Sequence, residues 1–398
     1  MSRSNRFLIL TIIFLLCQEL CTANQKIPAA NFSVSLLTCE KTDRYIYALF
    51  GHSAIRIKSK VSQLDLVYNY GTFDTGDPKF YVNFLHGQMR YFLSVTDYNT
   101  FIQSYIADEQ SVTEQVLQLN EFQKNKLLSL LQEQIKPQNR FYNYDFVKQN
   151  CSTKIIDLLS ESLGPDFDQS LFKLNAGKGP PVRDLLNVYL RRQEFEMIAM
   201  NSLLGRRADT ITNKNISLFL PDTLQKTIDK MQLRTGKLSA PIIYLFKSKH
   251  QTASGPSLFY LLSYGLNLFF LLGISAGQSA NLQRYSLPTK LISLLDGFFI
   301  LVLSSVGLLL VYLSCYSELD LLWYNFNILW CHPFYLILFF KKTRRVGSMI
   351  FLCGILIFTF LYIHTSFFAV LFPVLLLLSL WLSTRIYQLR HSTNVKKC

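Results

Sequence analysis

The segment FGHSAIRI, residues 50–57, places a histidine before a run that alternates small or apolar side chains with polar ones. This alternation is typical of a half-buried β-strand. Similar runs predict further strands, and segments with helix start signals predict helices between and after them. The predicted strands are Ser33–Cys39, Ser53–Lys58, Leu64–Tyr70, Met89–Val95 and Val112–Leu119, and the predicted helices are Glu121–Ile135, Ser152–Ser162, Pro181–Arg192 and Pro221–Met231. The sequence therefore predicts an α+β domain of antiparallel strands with helices packed beside them.

A second segment, DFVKQNCS at residues 145–152, places Cys151 at the start of a predicted helix. The free N–H groups and the positive dipole end of a helix N-terminus favour a thiolate over a thiol. An imidazole on a neighbouring strand would accept its proton and complete a Cys-His pair that transfers acyl groups through a thioester. Cys151 is therefore a candidate nucleophile and His52 its candidate base. Two alternatives stay open, a buried, unreactive Cys151 and a disulfide between Cys151 and Cys39.

A third polar group is expected to orient the imidazole. Asn69 lies on the strand predicted to pair with that of His52, so its amide oxygen would accept the other ring N–H. Asp74 and Tyr70 are alternatives for this role. The residues that we expect to contribute to substrate binding are Tyr70, Asn150 and Ser53. No His, Cys and Asp cluster has the spacing of metal ligands, so neither a metal nor another cofactor is predicted.

The composition points to a membrane. Hydrophobic residues make up 50% of the 398 residues, and charged residues at 17% fall below the roughly 25% of soluble domains. This excludes a disordered or fibrous chain. The apolar excess lies in the C-terminal half, where five stretches have about the length that crosses a bilayer. The five predicted spans are Ser257–Ser275, Leu291–Cys315, Leu319–Phe340, Val346–His364 and Phe367–Thr384.

The orientation follows from the N-terminus and from the basic loops. Met1–Ala23 has two arginines, a short apolar run and small residues before Asn24, which is typical of a cleaved signal peptide; a retained anchor is the alternative. With five spans, the basic residues between and after the spans fall on one side, which is the cytoplasmic side. These residues are Arg284, Lys290, Lys341, Lys342, Arg344, Arg345, Arg385, Arg390, Lys396 and Lys397.

This topology divides the chain into five parts. They are a signal peptide (1–23), an exported catalytic domain (24–240), a juxtamembrane linker (241–256), a membrane domain of five helices (257–384) and a cytoplasmic basic tail (385–398). Polar residues of the third span lie on the exported side and are interpreted as interfacial, with Trp323 and Trp330 as aromatic belt residues. The formal net charge of +14 is explained by basic loops and anionic headgroups, so no nucleic-acid partner is predicted.

Taken together, the motifs resemble the exported domain of the lipoprotein N-acyltransferases of Bacteroides and relatives. The resemblance covers most of residues 33–225, and the family also carries about five membrane helices after this domain. The order of a strand His followed by Asn-Cys at a helix start resembles circularly permuted papain-like folds, including the NlpC/P60 relatives. The matching stretches are LLTC (36–39), FGHSAIRI (50–57), VYNYGTFD (67–74), FYVNFLHGQMRYFLSV (80–95), RFYNYDFVKQNCSTKI (140–155) and FLPD (219–222).

The resemblance implies a function. Cys151 would be the nucleophile, His52 the base and Asn69 the third polar residue of an enzyme in the bacterial inner membrane with its catalytic domain in the periplasm. The implied acyl donor is a membrane phospholipid, and the implied acceptors are diacylated lipoproteins. Two alternatives remain: a membrane-anchored cysteine hydrolase acting on phospholipid or cell wall, and a non-enzymatic assembly module. The acyl preference and the oligomeric state do not follow from the sequence.

Overall fold

The computed structural model describes residues 32–394 except for 46–47, 75–77, 80–81, 84–85, 192, 211–213, 250–257 and 279–288. The predicted signal peptide, residues 1–23, lies outside the described residues, as does the end of the predicted tail. The N-terminal part, residues 32–249, is called the sheet domain below. The C-terminal part, residues 258–394, is called the bundle.

The sheet domain is built on a seven-stranded sheet in the order β6-β4-β3-β2-β1-β5-β9, in which every pairing is antiparallel. Two very short strands, β7 and β8, form a separate hairpin. The strands are β1 (Phe32–Cys39), β2 (His52–Ser59), β3 (Leu64–Thr72), β4 (Met89–Asp97), β5 (Val112–Val116), β6 (Phe141–Tyr144), β7 (Gln232–Leu233), β8 (Gly236–Lys237) and β9 (Ile243–Phe246). The predicted α+β class is confirmed. The permuted papain-like fold stays a prediction.

Helices cover both faces of the central part of this sheet and bury its apolar side chains. The central strands are almost wholly buried because helices and neighbouring strands cover both of their faces. Ile55 of β2 and Ile155 of the third helix are both fully buried in the same core. The helices of the sheet domain are α1 (Tyr98–Ala107), α2 (Glu121–Gln134), α3 (Cys151–Leu163), α4 (Pro165–Leu174), α5 (Val182–Tyr189), α6 (Glu194–Leu203) and α7 (Pro221–Lys230).

The five predicted strands and four predicted helices of this domain are present, with ends that move by a few residues. The structure adds α1, α4, α6 and β6, for which the sequence analysis predicts no element. It also places β9 inside the predicted linker 241–256, where β9 pairs with β5 and completes the edge of the sheet.

The bundle contains the helices α8 (Leu258–Gln278), α9 (Thr289–Tyr316), α10 (Arg344–Tyr362) and α11 (Ser366–Asn394). Within the described residues, three helical stretches are long and apolar enough to cross a membrane, namely Asp296–Tyr316, Arg344–Tyr362 and Ser366–Ile386. The prediction of five membrane helices is therefore wrong. The first predicted span coincides with α8, whose described side chains form the apolar stretch Leu258–Leu268, so its crossing of the membrane stays a prediction.

The third predicted span is not an α-helix. Residues 319–340 form three short 3₁₀ turns, at Asp320–Leu322, Phe326–Leu329 and Pro333–Phe339. Pro333 lacks the N–H that a continuous helix would need. Two amides also compete with helical bonding, because Asn325 and Asn327 each donate from Nδ2 to the Ser202 carbonyl at the end of α6, at 2.7 and 3.2 Å.

The segment 319–340 nevertheless runs along the whole bundle between α9 and α10. A Cβ atom on Gly307 of α9 would lie 2.5 Å from the backbone nitrogen of Pro333. A Cβ atom on Gly354 of α10 would lie 2.3 Å from the Leu329 carbonyl oxygen. Glycine is thus needed at both positions for the backbones to meet. Trp330, predicted in the aromatic belt, is instead 6% exposed and lies inside the bundle.

The two ends of the bundle differ in charge and in neighbours. At one end, Arg385 of α11 forms an ion pair with Asp296 of α9 at 3.3 Å, and Arg344 of α10 donates to the Leu338 carbonyl at 2.9 Å. At the other end, Tyr362 of α10 donates to a carboxylate of the sheet domain at 3.1 Å. The basic residues 341–345 therefore lie at the end away from the sheet domain, in agreement with the orientation predicted from the basic loops.

Candidate active site

Cys151 is the first residue of α3, and the preceding Asn150 caps this helix. The side-chain oxygen of Asn150 accepts hydrogen bonds from the backbone N–H groups of Ser152 and Thr153, both at 3.0 Å. Its Nδ2 donates to the Phe219 carbonyl at 2.8 Å, which ties the cap to the loop before α7. The cap thus satisfies two of the free N–H groups of the helix start and does not occupy the N–H of Cys151.

His52 is the first residue of β2 and faces an amide on β3. Its Nε2 lies 3.4 Å from Oδ1 of Asn69. The Nδ2 of Asn69 donates to Oγ1 of Thr96 at 3.3 Å and to the Val67 carbonyl at 3.4 Å. Because Nδ2 is engaged there, the amide oxygen faces the ring and accepts the Nε2 proton. This tautomer leaves Nδ1 for the thiol of Cys151.

The His52 imidazole and the Cys151 thiol lie next to each other, close enough for their charges to interact. Burial raises the pKa of Cys151, but the charge and hydrogen bond of His52 and the Ser53 N–H together bring this pKa below its ordinary value. Burial lowers the pKa of His52, yet the Cys151 charge and the hydrogen bonds of Cys151 and Asn69 bring it above its ordinary value. Both pKa shifts favour a thiolate beside an imidazolium.

The three residues predicted to bind substrate surround this pair and are buried, with Ser53 0%, Tyr70 2% and Asn150 4% exposed. The Ser53 hydroxyl lies 3.2 Å from that of Ser152, so it holds the start of α3 against β2. The Tyr70 hydroxyl donates to the side chain of Gln134 at the end of α2. All three therefore position the helices around the site, and their contact with substrate stays a prediction.

Two tyrosines that the sequence analysis does not single out form a wall of the site. Tyr91 of β4 and Tyr144 of β6 stack with ring centroids 4.3 Å apart. Burial raises the pKa of Tyr91 to about 12 and that of Tyr144 well above its ordinary value, so both hydroxyls stay neutral. The run FYNY at residues 141–144, shortly before Cys151, is rich in residues that favour β-strands. This run is the sequence signal from which the wall could have been predicted.

The sequence analysis left open a disulfide between Cys39 and Cys151, and the structure tests this alternative. Cys39 and Cys151 are both free thiols, so the disulfide considered above is absent between these two described residues. Cys39 lies opposite His52 in the β1–β2 ladder, is 0% exposed, and has a pKa raised by burial. Within the described residues, no group of three His, Cys, Asp or Glu side chains is arranged to hold a metal ion.

The site lies against the end of the bundle that contacts the sheet domain, which is called the outer end below. Lys148, in the loop before Cys151, forms an ion pair with Asp320 at 2.8 Å. Phe50 and Val147, which flank the two site residues in sequence, belong to one apolar cluster with Phe259 of α8 and Val370 of α11. The strand start that carries His52 and the loop that leads to Cys151 are thus packed directly on the bundle.

Comparison with known proteins agrees with this division of the chain. Residues 19–189 match the family model described as the Lnb N-terminal periplasmic domain, and the matched range contains His52, Asn69 and Cys151. No curated protein and no solved structure matches the chain. The part of the sheet domain up to residue 189 is therefore similar to a periplasmic domain of the Lnb family, and the described part of the bundle that follows has three helices able to cross a membrane.

Proposed function

We propose that this protein is a lipoprotein N-acyltransferase that moves an acyl chain from a membrane phospholipid to the α-amine of a lipoprotein's diacylglyceryl-cysteine. The observation that carries the proposal is the placement of Cys151, at a helix N-terminus, beside His52, whose Nε2 lies 3.4 Å from Oδ1 of Asn69. The match to an Lnb periplasmic domain supports it. The location is the bacterial inner membrane, with several membrane crossings, a periplasmic site and a permuted papain-like fold.

In the first step, the Cys151 thiolate attacks the carbonyl carbon of a phospholipid ester. The negative charge that develops on the carbonyl oxygen is stabilised by backbone N–H groups, and the N–H of Cys151 is the candidate donor because the Asn150 cap leaves it unoccupied. The tetrahedral intermediate collapses, the C–O bond to the glycerol breaks, and the imidazolium of His52 protonates the leaving oxygen. A lysophospholipid departs and an acyl thioester remains on Cys151.

In the second step, the neutral α-amine of the lipoprotein's terminal cysteine attacks the thioester. His52, now neutral, accepts the proton that the amine nitrogen loses. The C–S bond breaks, the acyl chain leaves on the nitrogen as an amide, and the thiolate–imidazolium pair is restored. Asn69 keeps the ring in one orientation through both steps by accepting the Nε2 proton.

The position of the site supports lipid substrates. Donor and acceptor are both confined to the bilayer, so a catalytic domain held at its surface meets them without lifting an acyl chain through water. The ion pair of Lys148 with Asp320 and the shared apolar cluster fix the site at the bundle's outer end. The bundle also supplies apolar surface on which acyl chains would lie.

The test uses the purified full-length protein in vesicles of phospholipid with a labelled acyl chain, with and without a diacylglyceryl-cysteine peptide. We expect an acyl thioester on Cys151 without acceptor, and lysophospholipid plus acyl amide with acceptor. Cys353→Ala is the matched control, since Cys353 is an exposed cysteine on α10, and it should retain activity. Release of free fatty acid without amide would identify a phospholipase instead, and full activity of Cys151→Ala would overturn the thioester mechanism.

A further inference from the structure

A cavity of about 500 Å³ opens where strands β4 and β6 pair at the edge of the sheet. Its walls include Arg90, Arg140, Asn83, Phe73 and Asp74. This volume lies within the range of roughly 300–1,000 Å³ that is typical of sites for small ligands. The mechanism above uses none of these residues.

The two arginines of the cavity lie against aromatic rings. The guanidinium of Arg90 lies 4.0 Å from the ring centre of Phe141, and that of Arg140 lies 5.0 Å from those of both Phe141 and Phe92. In the described part of the chain, neither guanidinium has a carboxylate partner, and the buried Nε of Arg140 has no hydrogen-bond partner. A stacked guanidinium keeps its N–H groups directed outward in its own plane, where they are available to an anion.

An aromatic path joins this cavity to Cys151. The ring of Phe73, in the cavity wall, lies 5.1 Å from that of Tyr91. Tyr91 stacks on Tyr144, and Tyr144 lies close enough to Cys151 for their charges to interact. These ring contacts thus connect the cavity, at the edge of the sheet, with the surroundings of the nucleophile.

The cavity also adjoins the outer end of the bundle. Just before Arg90, a Cβ atom on Gly87 would lie 2.9 Å from the side chain of Leu319, and Gln88 donates to Glu318 at 2.7 Å. Both contacts follow the end of α9, where a membrane helix meets the polar headgroup region. A bilayer whose headgroup region begins at the end of α9 would place its phosphate groups near these arginines.

From these four observations we infer that Arg90 and Arg140 bind the phosphodiester of the phospholipid that donates the acyl chain. Two guanidiniums offer paired N–H donors that match phosphate oxygens, which makes arginine the preferred residue for this anion. Asp74 adds one negative group to a lining with two positive ones, so the cavity remains cationic. The inference rests on the proposed function because it takes the bound phospholipid to be the acyl donor. Its test measures only the binding of the phospholipid.

Binding is measured by titration calorimetry with the full-length Cys151→Ala protein in a neutral detergent, in which no acyl group is transferred. The probes are dihexanoylphosphatidylethanolamine, dihexanoylglycerol, which lacks the phosphate, and inorganic phosphate. The double change Arg90→Gln with Arg140→Gln should weaken phospholipid binding about tenfold or more, and leave dihexanoylglycerol binding unchanged. The double change Arg90→Lys with Arg140→Lys should recover part of the phospholipid affinity, since lysine restores the positive charge but not the paired N–H donors of the planar guanidinium. Arg234→Gln, a change of a surface arginine paired with Asp166, is the control and should bind all probes normally.

Unchanged phospholipid affinity in the glutamine variant would overturn the inference. An equal loss for dihexanoylglycerol would also overturn it, because the arginines would then support the fold rather than the phosphate. Inorganic phosphate binding as tightly as the phospholipid would replace it with a free-anion site. If the arginine dependence is found in a protein that transfers no acyl group, the phosphate subsite stands and the proposed function fails.

Discussion

At the residue scale, the paired pKa shifts of Cys151 and His52 predict how the thiol reacts with pH. A lowered thiol pKa keeps the thiolate at more acidic pH, so alkylation of Cys151 by iodoacetamide should have its midpoint below the ordinary value of about 8.5. His52→Ala removes the positive charge and the hydrogen bond while burial remains, so the midpoint should move up. Mass spectrometry of the peptide containing Cys151 follows the rate separately from the exposed Cys315 and Cys353. An equal midpoint in both proteins would contradict the ion pair.

Asn69 acts through His52 and not on the substrate, which makes it a positioning residue. Asn69→Ala should lower the rate of thioester formation by roughly 10- to 100-fold, while the thiol keeps most of its pKa shift because the His52 charge remains. Asn69→Asp should recover part of the rate, since a carboxylate also accepts the Nε2 proton. A single-turnover assay with labelled phospholipid gives the rate, and the alkylation profile gives the pKa. Equal losses in the two variants would show that Asn69 supports only the fold.

Which site residues are predictable from the sequence depends on whether their role is local. Cys151 is recognisable because a helix start is a local signal, and His52 because it begins a strand. Thr96 is not, although it orients the Asn69 amide, since its role depends on the β3–β4 register that pairs distant residues. Tyr91 and Tyr144 meet only through the β4–β6 pairing.

At the element scale, the non-helical segment 319–340 depends on two glycines of its neighbours. Gly307→Ala and Gly354→Ala would each place a methyl group against backbone atoms of this segment, so each should destabilise the bundle by about 1–3 kcal/mol. Gly265→Ala on α8 is the matched control, because its Cβ would meet no atom within 4 Å. Thermal unfolding of the full-length protein in detergent measures the three changes. A neutral Gly354→Ala would contradict the close approach of the Leu329 carbonyl.

The same segment explains why the prediction of membrane helices fails in part. Hydropathy registers the apolar side chains of residues 319–340 but not the backbone conformation, which is set by Pro333 and by amides that bond to α6. Non-helical backbone at membrane depth is tolerated only where protein or water satisfies its polar groups. The contacts with α9, α10 and the sheet domain meet this requirement, and none of them is visible in a local window of sequence.

At the scale of the whole molecule, a buried polar network joins the sheet domain to the bundle. Asn201 of α6 is 0% exposed, accepts from Arg183 at 3.0 Å, donates to Asn187 at 2.6 Å, and its carbonyl accepts from Asn327 at 3.0 Å. Arg183 is also paired with Asp209. Because every member is hydrogen-bonded, the network fixes how the two parts are joined.

Asn201→Ala leaves the partners of this amide buried and unsatisfied. The substitution should lower the free energy of unfolding by about 2–3 kcal/mol and should lower the unfolding temperature of both parts together. Asn139→Ala, on an exposed turn where the amide bonds Glu133, is the matched control and should have little effect. Calorimetry of the full-length protein measures the unfolding temperatures of both variants. If the sheet domain and the bundle of the wild-type protein unfolded independently, the coupling between these two parts would be contradicted.

The end of the bundle that carries the basic residues is predictable at this scale, even though the number of membrane-crossing helices is not. The basic residues 341–345 mark one end of the bundle, and the segment before them runs along α9 although it is not helical. Because the segment 319–340 runs back along α9, the basic residues that follow it lie at the end of the bundle opposite the sheet domain. The charges of the loops predict this side. The basic residues at the ends of the spans constrain the topology. The prediction from these charges therefore holds even where the conformation predicted for a span is wrong.

The most direct measurement is mass spectrometry of the N-terminal peptide of a reporter lipoprotein, made in cells that lack native N-acylation and receive this protein or its Cys151→Ala variant. The account predicts a mass increase of one acyl amide with the wild-type protein and none with the variant at equal expression. An acylated peptide with both proteins, or with neither, would contradict the proposed Cys151-dependent transfer.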